Sequence, residues 1–95
     1  MFNIIREEGN QIILTGRFDA AQVDKVKAVL DGVADDCTVN FEELEYISSA
    51  GLGSLINLYT RLKTGGHSVK LKNMNKHVRG VFKNSKLDNV FTIVD

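Results

Sequence analysis

Two different patterns of apolar residues meet in the segment Val39-Asn40-Phe41-Glu42-Glu43-Leu44-Glu45-Tyr46-Ile47-Ser48-Ser49-Ala50-Gly51-Leu52-Gly53. Around its start, residues 37–41 alternate between apolar and polar side chains, which is the period of a β-strand. From Leu52 onward, apolar residues recur at the spacing of an α-helix. The segment therefore predicts a strand over residues 37–41 and a following helix, with Ser48 and Ser49 where that helix begins.

The residues before this segment predict a hairpin and a first helix. Two short apolar and β-branched runs, residues 2–6 and 11–15, are separated by Glu8-Gly9-Asn10, and Gly-Asn between two such runs is a hairpin signal. Helical spacing then follows at Val23, Val26, Leu30 and Val33. Asp19, with Gln22 three positions later, resembles a capping box. A helix is therefore expected over about residues 20–31.

The residues after the segment predict two more strands and a third helix. The second helix is expected to end near Lys63, ahead of Gly65 and Gly66. Val69 and Leu71 mark a fourth strand, and residues 90–94 mark a last one. Between these strands, the third helix is marked by Met74, Val78, Val81 and Phe82.

The resulting order, β-β-α-β-α-β-α-β, is typical of an open sheet with helices packed against it. Since its first two strands form a hairpin and the others are joined through helices, the sheet is expected to be mixed. A chain of 95 residues has room for one core. The predicted fold class is therefore α/β, with a single domain over residues 1–95.

The composition is that of an ordinary globular protein. Hydrophobic residues make up 43% and charged residues 25% of the chain, which excludes a disordered, collagenous or disulfide-stapled class. The single cysteine, Cys37, lies in a predicted strand and is expected to be buried. No apolar run approaches the roughly 18 residues that a membrane helix needs, and the first residues lack the order of a signal peptide. We therefore expect a cytoplasmic protein without membrane insertion.

The motifs of common enzymes and cofactor sites are absent from the sequence. It has no G-x-x-x-x-G-K-[ST] loop, no H-E-x-x-H pair and no paired cysteines, and its only histidines are His67 and His77. Gly51-Leu52-Gly53 lacks the third glycine of a dinucleotide fingerprint, because Ile56 occupies that position. The sequence therefore predicts no catalytic activity and no metal or other cofactor.

Two interpretations of Ser48 and Ser49 are open on physical grounds. Serine is a favoured N-cap whose oxygen accepts a backbone N–H, and this contact stabilises a helix by about 1 kcal/mol relative to alanine. An exposed serine at a helix N-terminus is also a place where a phosphate is tolerated, because free N–H groups and the positive end of the helix dipole face it. Such a phosphate adds about −1.5 to −2 charges and would act mainly on a binding partner.

Three segments of the chain resemble the STAS domains of the bacterial anti-sigma-factor-antagonist type. Residues 39–53 are similar to the family's apolar strand, loop, phosphorylatable serine or threonine, small residue, glycine and leucine. Residues 14–21 are similar to its L-x-G-x-[LF]-D-x-x-[TA] segment, and residues 85–93 to its closing S-G-L-x-x-x-F-x-I. The resemblance covers nearly the whole chain and implies an α/β fold.

The resemblance implies a protein-interaction switch that is not an enzyme. By position, Ser49 falls on the phospho-acceptor and Asp19 on the loop acid beside it, while Ser48 replaces a frequent aspartate and is a second candidate acceptor. The unphosphorylated domain would bind an anti-sigma factor that is a serine kinase, and a serine phosphatase would reset the phosphorylated form. Nucleotide would belong to the kinase, so no cofactor is expected here. The predicted partner-binding residues are Asp19, Ser48, Ser49, Gly51, Gly53, Ser54 and Asn57.

At about 100° per residue, the second helix divides into two faces. The predicted core stripe consists of Leu52, Leu55, Ile56, Tyr59 and Leu62, with Leu58 at its edge. The opposite face consists of Gly53, Ser54, Asn57, Thr60 and Arg61. Because Gly53 and Ser54 are small, this face is expected to allow the close approach of a protein partner.

The charges are segregated along the chain although they sum to zero. Residues 1–45 carry ten acids and four bases, whereas residues 46–87 carry eight bases and no acid. The bases are Arg61, Lys63, Lys70, Lys72, Lys76, Arg79, Lys83 and Lys86. They make a basic nucleic-acid-binding module an alternative function, although no nucleic-acid motif accompanies them. We favour solvated acidic and basic segments that interleave on folding. A constitutive STAS scaffold that is never phosphorylated is a further alternative.

Overall fold

Residues 1–94 are described by the structure, a computed structural model. The strands are β1 (Asn3–Glu7), β2 (Gln11–Phe18), β3 (Cys37–Ile47), β4 (Val69–Lys72) and β5 (Thr92–Val94). The helices are α1 (Val23–Leu30), α2 (Ser49–Thr64) and α3 (Lys76–Asn84). Two short 3₁₀ turns, Ala20–Gln22 and Leu87–Asn89, precede α1 and β5.

The five strands form one mixed sheet in the order β1-β2-β3-β4-β5. β1 pairs with β2 in antiparallel fashion through the predicted hairpin, where Gly9 and Asn10 both have positive φ angles. Each of the other neighbouring pairs is parallel and is connected through a helix. The predicted α/β class with a mixed sheet is confirmed.

One face of this sheet carries the hydrophobic core. Ile12 of β2, Val39 of β3 and Leu71 of β4 are register partners across the sheet, and all three are buried. Helix side chains join the same buried cluster, among them Val26 of α1 and Phe82 of α3. Cys37 is buried as predicted, and this burial raises the pKa of its thiol to about 11. The thiol is therefore a packing group and not a nucleophile at neutral pH.

Four aromatic side chains pack in a row on the side of the sheet that carries the helices. The ring centroids of Phe41 and Phe82 lie 5.9 Å apart, and those of Phe82 and Phe91 lie 5.8 Å apart. Tyr59 of α2 continues the row, with its centroid 5.3 Å from that of Phe91. All three contacts are edge-on, which is a favourable arrangement of aromatic quadrupoles.

Several element boundaries differ from the prediction, and β2 continues to Phe18 instead of ending at residue 15. β3 continues to Ile47 instead of ending at residue 41, because register shifts against β2 restore its side chains to the core face after the two exposed acids at 42–43. The first helix is shorter than predicted, since residues 20–22 form a 3₁₀ turn. β5 begins at Thr92 and not at residue 90, because the turn Leu87–Asn89 occupies the preceding chain.

The predicted division of α2 was wrong at Ile56 and Leu58. Ile56 was assigned to the core but is 36% exposed, whereas Leu58, placed at the edge of the stripe, is fully buried. The buried residues of α2 are Gly51, Leu52, Leu55, Leu58 and Leu62, and Tyr59 is half-buried. Their shared face is centred between Leu55 and Leu58, so the opposite, solvent-facing side includes Ile56.

Candidate functional site

The parallel pairing of β2 and β3 positions the predicted site. Phe18 and Ile47, the last residues of the two strands, are register partners. The N–H of Ser48 donates to the carbonyl of Phe18 at 2.9 Å, which extends the pairing by one residue. Asp19 and Ser48 therefore follow neighbouring strands at the same edge of the sheet. Such carboxyl ends of parallel strands are the usual location of functional loops in α/β folds.

The two serines at this edge have different environments. Ser48 is the N-cap of α2: its Oγ accepts the N–H of Gly51 at 3.2 Å, and its carbonyl accepts the N–H of Leu52 at 2.9 Å. Ser49 is the first residue of the helix and is exposed. Within residues 1–94, its hydroxyl makes no hydrogen bond. The capping role thus belongs to Ser48, and the hydroxyl of Ser49 is accessible from solvent.

Asp19 caps the 3₁₀ turn that leads into α1. Its Oδ1 accepts the N–H of Ala21 at 3.1 Å, so the predicted cap is confirmed. The reciprocal side-chain bond of a capping box is not formed, since Gln22 bonds to Asp19 only through its backbone N–H at 3.0 Å. Asp19 is half-buried. It follows β2 where Ser48 follows the paired strand β3.

Gly51 was predicted to contact a partner, and the structure places it in the interior. It is buried, and an added Cβ would lie 2.8 Å from Cγ1 of Ile47 and 3.1 Å from Cγ of Phe18. A side chain at this position would force the first turn of α2 away from the ends of β2 and β3. Gly51 therefore lets the helix start close to the sheet, and this packing determines where Ser49 lies.

The exposed face of α2 begins at Ser49 and continues along the helix. Residues 4, 7 and 11 positions later fall on the same face at about 100° per residue, and these are Gly53, Ile56 and Thr60. Gly53 is half-buried, and an added Cβ there would meet no atom within 4 Å. Ile56, predicted to lie in the core, supplies an exposed apolar side chain. We call Ser49, Gly53, Ile56 and Thr60 the α2 face.

Ser54 and Asn57 lie to one side of the α2 face and line a cleft against α1. The cleft has a volume of about 280 Å³, and its walls are formed by Val23, Lys27, Leu30, Asp31, Ser54, Asn57, Leu58 and Arg61. Lys27 and Asp31 form an ion pair of 2.7 Å at the α1 side. Of the predicted partner-binding residues, Ser49 and Gly53 thus lie on the α2 face, and Ser54 and Asn57 line this cleft. Asp19 and Ser48 lie where β2 and β3 end, and Gly51 is buried.

The predicted basic residues are distributed over several elements. Arg61 donates to the carbonyls of Leu30 and Val33 at 2.6 Å, where it binds the C-terminal end of α1 and the loop that follows. Lys63 donates to the hydroxyl of Tyr59 at 3.0 Å, and this hydrogen bond raises the pKa of the lysine. The remaining bases lie on β4, on α3 and just after α3. They therefore do not form one continuous stripe with Arg61.

Neither a metal site nor a membrane helix is found in the described part of the chain. Residues 1–94 contain no group of three or more His, Cys, Asp or Glu side chains that could hold a metal ion. In the same residues, no helix combines the length and the hydropathy that crossing a membrane requires.

Comparison with known families gives a match over most of the chain. A family model described as "Mlab, STAS domain" matches residues 5–95. No curated protein sequence matches the chain.

Solved structures with the same fold include anti-sigma factor antagonists. The unphosphorylated form of SpoIIAA is 20% identical, with 100% of this chain and 88% of that chain covered and a TM-score of 0.73. A protein of Thermotoga maritima described as an anti-sigma factor antagonist is 20% identical over 99% of this chain and 86% of its own, with a TM-score of 0.82. The phosphorylated form of the Bacillus SpoIIAA is 20% identical, with 100% of this chain and 92% of that chain covered and a TM-score of 0.71.

Proposed function

The chain belongs to the STAS domain family, and we propose that it is an anti-sigma-factor antagonist whose protein partner is selected by phosphorylation of Ser49. In its unphosphorylated form it binds an anti-sigma factor that is also a serine kinase, and a sigma factor or another effector is released. Phosphorylation ends this binding, and a serine phosphatase restores it. The phosphate donor belongs to the kinase, so the exchange takes place in the cytoplasm, where nucleotide is available.

The observation that carries this proposal is the difference between the two serines. Ser48 holds its hydroxyl against the N–H of Gly51, whereas Ser49 is exposed and makes no side-chain hydrogen bond within residues 1–94. A kinase can reach the hydroxyl of Ser49 without opening a helix cap. The amide groups of the first turn also favour a phosphate at this position. SpoIIAA, which has the same fold, is known in both phosphorylated and unphosphorylated forms.

The α2 face supplies the contact surface in this proposal. Gly53 leaves open space beside Ser49, and Ile56 offers an apolar side chain one turn further along. Partner contacts that bury an apolar side chain are stabilised by about 25 cal/mol per Å² of apolar surface removed from water. Asp19, Ser54 and Asn57 border this surface. A phosphate on Ser49 would be desolvated without a counter-charge in such a contact, which weakens binding.

Phosphate mapping with the cognate kinase tests the assignment. The protein, its Ser49→Ala variant and its Ser48→Ala variant are incubated with the kinase and ATP, and the products are analysed by mass spectrometry. We expect one phosphate on Ser49 in the unaltered protein and in Ser48→Ala, and none in Ser49→Ala. Phosphate on Ser48 with Ser49 unmodified would overturn the assignment. Tight kinase binding without any phosphate transfer would instead identify a constitutive scaffold.

A further inference from the structure

A second cleft lies between α3 and β5, the last strand of the sheet. Its walls are formed by Lys76, Arg79, Gly80, Lys83, Asp88 and Ile93, and its volume is about 530 Å³. Positions 76, 79 and 83 are three and four residues apart, so their three cationic side chains share one face of α3. Lys76 and Lys83 form no ion pair within residues 1–94. The cleft is therefore a surface of net positive charge.

The cleft runs alongside an unpaired strand edge. β5 is the last strand of the sheet, and within residues 1–94 it pairs only with β4. Its outer backbone N–H and C=O groups are therefore available to another strand. Ile93, the register partner of the buried Leu71, lies on the helix side of the sheet and lines the cleft. Val94, on the opposite side, is 42% exposed.

From this juxtaposition we propose that the edge of β5 binds an extended acidic segment of a partner protein as a sixth strand. Side chains of an added strand alternate between the two sides of the sheet. Those on the helix side would reach the cleft and meet Lys76, Arg79 and Lys83. Those on the other side would lie beside Val94. The partner segment therefore has acidic residues at every second position and apolar residues between them.

The dimensions of the cleft agree with this pattern. Lys83 follows Lys76 by seven positions, which is about 10 Å along the helix axis. Alternate side chains of a strand are about 6.6–6.8 Å apart, so two or three acidic residues of the alternating pattern fit opposite these cations. Gly80 lies between them, and an added Cβ there would meet no atom within 4 Å. The centre of the cleft is thus open down to the helix backbone.

A peptide fits this cleft better than a nucleic acid does. Among residues 1–94, no aromatic side chain lines the cleft, so these residues offer no platform on which bases could stack. Ile93 belongs to its walls, and an apolar side chain does not favour a phosphate backbone. An unpaired strand edge, in contrast, is recognised by the backbone of another protein. This inference does not rest on Ser49, because it uses α3 and β5 and not the start of α2.

Binding of a model peptide tests the proposed site. The probe is a fluorescent octapeptide of alternating glutamate and valine. Its control is an isomer with four glutamates followed by four valines. Binding is measured by fluorescence anisotropy with the full chain. We expect the alternating peptide to bind at least tenfold more tightly than the isomer. On binding it, the amide protons of residues 92–94 should exchange at least tenfold more slowly. Equal affinities, or no slowing at β5, would overturn the proposal.

Two variants test the cleft without disturbing the fold. Gly80→Leu fills the open centre of the cleft, and since it replaces a helical glycine it should keep or raise the melting temperature. We expect at least a tenfold loss of peptide affinity, whereas Gly80→Ala should lose less than threefold. Lys83→Glu should also lose at least tenfold, and Lys25→Glu, the same charge change on α1, should not. Unchanged binding by Gly80→Leu, or tighter binding of an eight-nucleotide DNA strand, would refute a peptide site.

Discussion

At the scale of single residues, the two adjacent serines should respond differently to the same substitution. Ser48→Ala removes the oxygen that accepts the N–H of Gly51, so we expect a loss of about 1 kcal/mol in the free energy of unfolding. Ser49→Ala removes no hydrogen bond within residues 1–94 and should change this free energy by less than about 0.5 kcal/mol. Urea unfolding measures both. Ser48→Asp is the control, because aspartate is an equally good cap and should restore most of the loss. Equal losses in the two alanine variants would mean that Ser49 shares the capping role.

Asp36 makes stability depend on pH through its contacts with the loop after α2. Its Oδ1 accepts the N–H of Ser68 at 2.8 Å and lies 3.5 Å from Nδ1 of His67, and the hydrogen bond with Ser68 is the main reason that its pKa is lowered. A lowered folded-state pKa contributes stability above the unfolded value of about 3.9 and loses it as the pH falls through the folded value. We therefore expect Asp36→Asn to lower the melting temperature at pH 7.

The difference in melting temperature between the protein and Asp36→Asn should shrink as the pH falls below about 4, since both chains then carry an uncharged side chain at this position. Melting curves between pH 7 and pH 3 measure it. Asp35→Asn is the matched control, because Asp35 lies 3.8 Å from Nε2 of His67 but accepts no hydrogen bond from Ser68. A difference that stays constant with pH would show that the Asp36 charge does not contribute.

The sequence allowed those residue roles to be predicted whose causes are local. Asp19 as a cap and Cys37 as a buried residue follow from their immediate neighbours, and the structure confirms both. Gly51 and Arg61 could not be assigned in this way. The burial of Gly51 depends on Phe18, which is 33 positions away, and Arg61 bonds to carbonyls 28 and 31 positions away. Such contacts leave no signal in the local sequence.

At the scale of elements, periodicity located the strands and helices but did not fix which side of α2 faces the sheet. Two stripes were compatible with the apolar residues of this helix: one that includes Ile56, and one that includes Leu58 instead. Tyr59 is common to both. The sheet selects the second, because Leu55, Leu58 and Leu62 all lie against the core. β3 was predicted too short for a related reason. Its alternation is interrupted by adjacent glutamates, and only pairing with β2 shows that the strand continues.

A long side chain on the α2 face should weaken partner binding without lowering the stability. Gly53→Arg places a long side chain beside Ser49, where an added Cβ meets no atom within 4 Å. Because arginine is a better helix former than glycine by up to about 1 kcal/mol, the stability should be unchanged or raised. Binding to the kinase partner should fall more than tenfold. Thermal melting and calorimetric titration measure the two effects. Thr60→Arg, two turns further along the face, is the control and should weaken binding less. An equal loss of stability and binding would place Gly53 in the core.

At the scale of the whole molecule, the segregation of charge along the chain is partly undone by folding. α3, which carries Lys76, Arg79 and Lys83, is fixed to the acidic strand β3 by Asn75. The side-chain amide of Asn75 donates to the carbonyl of Leu44 at 3.0 Å, while its oxygen caps α3. This agrees with the predicted interleaving of acidic and basic segments. The alternation of strands and helices predicted the α/β class, but the strand order depends on pairings between distant segments that no local pattern records.

Phosphorylation of Ser49 should leave the stability of the domain nearly unchanged. The N–H groups of Ser49 and Ala50 have no partner within residues 1–94, and both belong to the first turn of α2. A phosphate on Ser49 is therefore stabilised locally by about 0.3–1 kcal/mol, so the free energy of unfolding should barely change.

Partner binding should instead fall by more than tenfold, or about 1.4 kcal/mol, because a contact shaped for a hydroxyl leaves the phosphate desolvated and unpaired. Phosphorylated and unphosphorylated protein are compared by urea unfolding and by calorimetric titration with the kinase. Ser48→Ala, phosphorylated in the same way, separates the phosphate's effect from that of the cap. A phosphoprotein that unfolds several kcal/mol more easily would mean that phosphorylation acts by melting the domain. A phosphoprotein that binds the kinase as tightly as the unphosphorylated protein would refute the proposed switch. A loss of binding without a loss of stability would mean that the phosphate acts directly on the contact at the α2 face.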